Sequence, residues 1–216
     1  MSAKPAQRPV ASQSPLDPGS LSSGAYTNKT LGFTCKIPEG WVLRTDELNA
    51  ANDDHAVPPN DKNNNAEGAS QSTAKEDPNS ASSVGARVLL AAFSRPPEAR
   101  GEEINASIVI AAEPASNYPG LKESAQYFGP LTEVTQAQGF ALDEDPYEIA
   151  IGIKTLVRGD FHKNVGTRVM RQSTLVILSH GYAVSFTVIG GTEDQVEELI
   201  DGLDFQGSAR VGQAPK

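Results

Sequence analysis

The stretch that decides the fold is residues 149–189, which read IAIGIKTLVRGDFHKNVGTRVMRQSTLVILSHGYAVSFTVI. Apolar residues alternate with smaller or charged ones from Ile149 to Val157, and a period of two is typical of a half-buried strand. Turn residues at 163–166 and at 179–181 bound two further apolar runs. The segment therefore predicts a meander of three antiparallel strands, with 149–157 as one continuous stretch of strand.

Three more strands are expected upstream of the meander. The first spans residues 30–37 and places four apolar side chains on one face: Leu31, Phe33, Cys35 and Ile37. It ends at Pro38-Glu39-Gly40, a turn in which proline presets φ, and we expect the following Trp41 to be largely buried. The β-branched runs 87–94 and 104–112 predict the other two strands.

Two helices complete the pattern. Apolar residues recur every three or four positions between 121 and 138, which is typical of a helix, although Gly129-Pro130 predicts a kink or two short helices. The segment Thr192-Glu193-Asp194-Gln195 fits a capping box in front of a second amphipathic helix. This order of elements predicts an α+β fold with helices laid on a single antiparallel β-sheet.

The remaining segments lack the apolar residues needed for a core. Residues 1–24 are rich in Pro, Ser and Ala, and residues 46–83 hold eight acidic residues, two lysines and few apolar side chains. We therefore predict one domain over 25–207 that contains a disordered acidic insert at about 46–83. We predict a disordered tail at 1–24 and a C-terminal tail at 208–216. On this division, a short linker in place of 47–82 would leave folding unchanged.

The first predicted strand carries a motif found in a known superfamily. Residues 26–28 read Tyr-Thr-Asn, and residues 31–41 read LGFTCKIPEGW. This aromatic strand that ends in a Pro-x-Gly-Trp turn resembles the N-terminal signature of the PsbP-like superfamily. The later order of elements, through the helix near 121–138 to the last segment Leu203-Asp204-Phe205, is also similar.

The resemblance implies an α/β/α sandwich around an antiparallel sheet. Members of the superfamily include an extrinsic subunit of the oxygen-evolving complex, an import factor that binds the Ran GTPase, and bacterial exported proteins of unknown role. The better-understood members act by docking onto partners. The resemblance therefore implies a binding function, and none of the family's functional residues can be transferred to this chain.

Composition excludes several classes of protein. The formal net charge of -9 argues against a general nucleic-acid binder, and no apolar run is long enough for a membrane-spanning helix. One cysteine, Cys35, excludes an internal disulfide and a multi-thiolate metal site. Because Cys35 alternates with Phe33 and Ile37, we place it in the core rather than in a reactive site.

We predict no catalytic, cofactor-binding or metal-binding residues from the sequence. The three histidines are His55, His162 and His180, and we expect them to be separated and solvated rather than to share a metal. Our candidate site is basic instead. Lys154, Arg158 and Arg171 are expected to form a partner-binding patch on one sheet face, with pairing to nearby acids as the alternative.

The sequence thus predicts a non-enzymatic domain that binds a protein partner or a small ligand, without a cofactor. The alternative is a hydrolase-type enzyme for a small molecule, in which a pocket brings His162 or Cys35 to a carboxylate. A third possibility, a structural module, would expose a large apolar patch. We expect the protein to be periplasmic or secreted, with the cytoplasm as the alternative compartment.

Overall fold

The computed structural model of the chain describes residues 16–55, 85–101 and 103–206. Twelve strands and three α-helices are formed by these residues. The strands are β1 Ser20–Ser22, β2 Ala25–Asn28, β3 Phe33–Lys36, β4 Val42–Leu43, β5 Arg87–Phe93, β6 Ser107–Pro114, β7 Ala141–Leu142, β8 Tyr147–Ile151, β9 Lys154–Val165, β10 Arg168–Ser179, β11 Tyr182–Gly190 and β12 Leu203–Phe205. The helices are α1 Thr45–His55, α2 Phe128–Ala137 and α3 Glu193–Asp201. The predicted α+β class is confirmed.

The strands form two sheets rather than the single sheet that was expected. The larger sheet has the order β4-β5-β6-β11-β10-β9-β7, with β8 also paired to β9. The smaller sheet has the order β1-β2-β3-β12, and its three strand pairings are antiparallel. The predicted first strand therefore belongs to the smaller sheet, because its partners are β2 and the last strand of the described residues, β12.

The main core lies between the two sheets. Phe33 of β3 and Phe205 of β12 contact Phe186 of β11 at ring-centroid distances of 4.9 and 5.6 Å. Helix α3 closes the same core with Val196, Leu199 and Ile200. Helices α1 and α2 pack on the opposite face of the larger sheet, so helices cover both faces, as the α/β/α arrangement requires.

The predicted meander is confirmed for β9, β10 and β11. The expected continuity of 149–157 is wrong, because a hairpin turn at Gly152-Ile153 separates β8 from β9. Gly152 has a φ of +57°, and the backbone N–H of Ile153 donates to the carbonyl oxygen of Phe205. The alternation continues across the turn, so a periodicity argument cannot detect the reversal.

Helix α1 lies at the start of the segment that was predicted to be a disordered insert. Its Asn49 side chain donates to the carbonyl oxygen of Val88 and accepts from the Val88 N–H, both at 2.9 Å. Thr45 accepts a hydrogen bond from the N–H of Ala91. These side chains form hydrogen bonds with backbone groups of β5 at the part of its edge that does not pair with β4. Helix α1 is therefore part of the domain.

The boundary at the N-terminus also differs from the prediction. Residues 20–22 form β1, and the hydroxyl of Tyr26 donates to the carbonyl oxygen of Pro18. The domain therefore begins before residue 25. The rest of the predicted tails and insert, residues 1–15, 56–83 and 208–216, lies outside the described residues, and for these the predicted division stays a prediction.

The two predicted helices are present. A 3-10 turn at Ser124–Tyr127 precedes α2, so the region forms two short helical segments, and Pro130 lies in the first turn of α2 where its missing N–H is tolerated. The hydroxyl of Thr192 caps α3 by accepting from the Gln195 N–H. Trp41 packs on the main core but is half-buried, so its predicted burial was too large.

Replacement of Asn49 by alanine tests whether α1 stabilises the sheet edge. Two partly buried backbone groups of Val88 would lose their partner, so we expect Asn49→Ala to lower the free energy of unfolding by about 1–3 kcal/mol. Urea denaturation measures the change. Asn164→Ala, at an exposed position beside the β9–β10 turn, should stay within about 0.5 kcal/mol of the wild type. Equal stabilities for the two variants would contradict the role of α1.

The turn at Gly152 gives a second prediction. A Cβ atom there would lie 2.4 Å from the carbonyl oxygen of Phe205, whereas a Cβ at Gly166 would meet no heavy atom within 4 Å. Both residues have a φ near +60°, so alanine is strained equally at both. Thermal unfolding should show Gly152→Ala to be less stable than Gly166→Ala by about 1–3 kcal/mol, because β12 must move. Similar losses of stability in the two variants would show that the close approach of residue 152 to Phe205 does not matter for stability.

Candidate functional site

The candidate site is a cleft on the face of the larger sheet that carries α1 and α2. The two helices cover the sides of this face and leave its centre open, with a volume of about 420 Å³. Leu48 and Ala51 of α1 form one wall, and Leu131, Val134 and Thr135 of α2 form the other. The volume falls within the range of small-molecule pockets.

Small and polar side chains of the central strands create the space. On β6, Val109 and Ala111 face the cleft, while the neighbouring Ile108 and Ile110 are fully buried in the main core. On β11, the cleft-facing residues Ser185 and Thr187 alternate in the same way with Val184, Phe186 and Val188 of the core. The open volume therefore follows from the alternation of large and small residues along each strand.

The polar residues of the floor bond to one another. The hydroxyls of Thr174 and Thr187 lie 3.2 Å apart on neighbouring strands, and the Gln172 amide donates to Thr174 at 3.3 Å. On α2, the Thr135 hydroxyl donates to the carbonyl oxygen of Leu131. These groups are satisfied without a ligand, so the middle of the cleft is only weakly polar.

One end of the cleft holds a buried carboxylate. Glu113, at the end of β6, is 8 % exposed and accepts hydrogen bonds from the hydroxyls of Tyr118, at 2.5 Å, and Tyr127, at 2.8 Å. The two tyrosine rings contact each other edge to face, with centroids 5.1 Å apart. Burial and the negative charge of Glu113 raise the pKa of Tyr127 well above its usual value, so its hydroxyl remains a donor.

The predicted basic residues share a sheet face but are not close together. Arg158 pairs with Leu175, four residues along β10 from Arg171, so the two arginines are separated by roughly 13 Å. Arg158 bonds to Glu197 and Asp160, and Arg171 bonds to Glu193. Lys154 lies exposed at the start of β9. Acids of α3 thus pair with both arginines, as the alternative expected, and the partner-binding role of the three residues stays a prediction.

Neither residue of the alternative enzymatic hypothesis lines the cleft. Cys35 is fully buried in the main core on the other face of the sheet, and burial raises the pKa of its thiol to about 12. Its predicted place in the core is confirmed. His162 lies on β9, where its ring bonds to Asp143, and His180 lies in the β10–β11 turn beside Ser179.

Within residues 16–55, 85–101 and 103–206, no group of three or more His, Cys, Asp and Glu side chains is placed to hold a metal ion. In the same ranges, none of the helices has the length and apolar character to cross a membrane.

Sequence reasoning missed the cleft and Glu113. The signal that could have found them is the change from large to small residues on one face of β6 and β11, together with a lone acid at the end of an apolar run. The helix α1 that forms one wall could not be expected, because its sequence, TDELNAANDDH, holds a single large apolar residue.

Comparison with known proteins gives matches of structure only. No family model matches the chain, and no curated protein matches it. A Pseudomonas aeruginosa protein of unknown function, PA94, which has been suggested to be a regulator, is 19% identical with a TM-score of 0.35, and the match covers 55% of this chain and 80% of that one.

Two other solved structures are similar. A Bacteroides thetaiotaomicron protein is 11% identical with a TM-score of 0.36, over 83% of this chain and 47% of that one. LpqN of Mycobacterium tuberculosis, which is involved in cell envelope biogenesis, is 13% identical with a TM-score of 0.31, over 86% of this chain and 80% of that one. Because all these TM-scores lie below 0.5, the matches assign no function.

The buried thiol gives a pH-dependent prediction. Because the pKa of Cys35 is raised on folding, the unfolded chain loses this proton first, and stability falls between the thiol's ordinary pKa near 8.5 and about 12. One such group lowers the free energy of unfolding by at most about 1.4 kcal/mol per pH unit. Urea denaturation from about pH 8 to 10 should show a smaller pH dependence for Cys35→Ala than for the wild type. Identical slopes would mean that the thiol is not buried.

Proposed function

We propose that this protein is a non-enzymatic domain that binds a small, mostly apolar ligand in the cleft between α1 and α2. The observation that carries the proposal is the cleft itself, which is open, about 420 Å³ in volume and lined mainly by apolar side chains. Burial of such a surface by an apolar ligand is favourable because it removes both surfaces from water.

The shape of the site favours a small ligand over a protein partner. A protein interface of ordinary affinity buries about 800 Å² on each side, over a surface that a second protein can reach. The cleft is instead concave and bounded by two helices, which suits a small molecule. Two of the three basic residues predicted for a protein partner, Arg158 and Arg171, pair with acids of α3, which weakens the set as a docking patch.

The geometry gives less support to the enzymatic alternative. A nucleophile must lie within hydrogen-bond reach of a base and next to the substrate. Cys35 and His162 lie outside the cleft, and the cleft's acid, Glu113, contacts two tyrosine hydroxyls. These contacts orient the carboxylate as a fixed acceptor, which suits recognition of a ligand.

The same proposal places the domain in the PsbP-like superfamily. Its support is the Pro38-Glu39-Gly40-Trp41 turn after β3, the β9–β11 meander and the presence of helices on both faces of the larger sheet. The exported bacterial members of that superfamily are the support for a periplasmic or secreted location.

Titration with Nile red, a neutral apolar dye, tests the cleft as a binding site. We expect saturable binding to the full-length chain with a blue shift of the dye's emission. Ala111→Phe places a ring on the cleft floor and should weaken dye binding at least tenfold, because it fills the space the dye would occupy.

The matched control is Ala150→Phe, which adds the same ring at an exposed position of β8 that does not line the cleft. This variant should bind the dye as the wild type does. Equal binding by the two variants, at similar melting temperatures, would show that the dye sits elsewhere and would overturn the proposed function.

A further inference from the structure

Glu113 identifies the chemical class of the ligand. We propose that the cleft binds a primary ammonium compound with an apolar body, whose charged group contacts the Glu113 carboxylate. This inference rests on the proposed function, because it assumes that the cleft is the binding site, and it adds the charge and polarity of what enters it.

The charge of the cleft favours a cationic ligand. Among the described residues that line it, Glu113 is the one charged side chain, and none of the described Lys, Arg or His residues forms an ion pair with it. A positive charge on a ligand at this end of the cleft is attracted to the carboxylate, and a negative charge is repelled by it.

The hydrogen-bonding capacity that remains on the carboxylate favours an ammonium group. An ionised carboxylate has about four acceptor positions, and the hydroxyls of Tyr118 and Tyr127 occupy one on each oxygen. An ammonium group carries three N–H donors and no acceptor, so it complements the remaining positions. An alcohol offers one neutral donor, and its hydrogen bond to the carboxylate is weaker than a charge-assisted one.

The position of Glu113 relative to the apolar walls favours a ligand that carries its charge at one end. The carboxylate lies at one end of the cleft, and the walls contributed by Leu48, Leu131 and Val134 extend away from it. A ligand with its charge at one end and an apolar body at the other therefore matches both parts of the site. Aromatic side chains beside the carboxylate, Tyr118 and Tyr127, also favour a cation, since their rings attract positive charge.

Three compounds with one apolar body test the inference: 4-phenylbutylamine, 4-phenylbutanol and 4-phenylbutanoate. Each is titrated into the full-length chain by calorimetry near neutral pH, and each competes with Nile red for the cleft. We expect the amine to bind roughly tenfold or more tightly than the alcohol, because its hydrogen bonds to the carboxylate are charge-assisted. The carboxylate compound should bind more weakly than the alcohol.

Charge-neutral variants assign the preference to one residue. Glu113→Gln should reduce the affinity for the amine to that for the alcohol and leave the affinity for the alcohol almost unchanged. Glu198→Gln removes the same charge from an exposed position of α3 and should preserve the preference for the amine. If Glu113→Gln does not fold, the order of affinities for the wild type alone decides the question.

The outcomes separate this inference from the function on which it rests. If the dye binds in the cleft but the three compounds bind equally, the cleft is a binding site and the ammonium proposal is wrong. If the amine is preferred and Glu113→Gln keeps that preference, the proposal is also wrong. If neither the dye nor any of the compounds binds, both the proposed function and the ammonium inference are overturned.

Discussion

The contact of Phe33 and Phe205 with Phe186 is the interaction on which the rest of the structure depends. It joins the smaller sheet to the central strand β11 of the larger sheet, and all three rings are almost fully buried. Because β3 and β12 come from opposite ends of the described residues, the rings also hold N-terminal and C-terminal parts of the domain on the same core. The central strands of the larger sheet therefore place large side chains on the face that meets the smaller sheet.

The cleft is a consequence of this placement of large side chains on one face. Residues on successive positions of a strand point to opposite faces, so a strand that supplies Phe186 and Val188 to the core presents Thr187 to the other face. Helices α1 and α2 cover the sides of this second face but do not meet over its centre. An α/β/α domain whose central strands carried large residues on both faces would close the same space with side chains.

The sequence predicted those parts of the fold that depend on local pattern. The meander, the Thr192 cap and the burial of Cys35 follow from alternation, capping chemistry and the position of one residue on an apolar face. Helix α1 was missed because it is held by Asn49 and Thr45 bonding to β5, and hydrogen bonds to a distant strand leave no periodicity. The turn at Gly152 was missed because apolar alternation continues through it. The cleft could not be predicted because it depends on which face each strand presents and on where two helices end.

Chain order explains how a carboxylate came to be placed at the end of an apolar cleft. Glu113 is next to the last residue of β6, and the chain leaves the sheet there through a 3-10 turn at Ala115–Asn117, which brings Tyr118 back to the same carboxylate. The next helical segment supplies Tyr127 before α2 begins, so the acid and both donors lie within one short connection between a strand and a helix. Because this connection also positions α2 as a wall, the charged end of the cleft and its apolar side are fixed together. A change that moves α2 must therefore also alter the hydrogen bonds of Glu113, which couples the shape of the cleft to the placement of its charge.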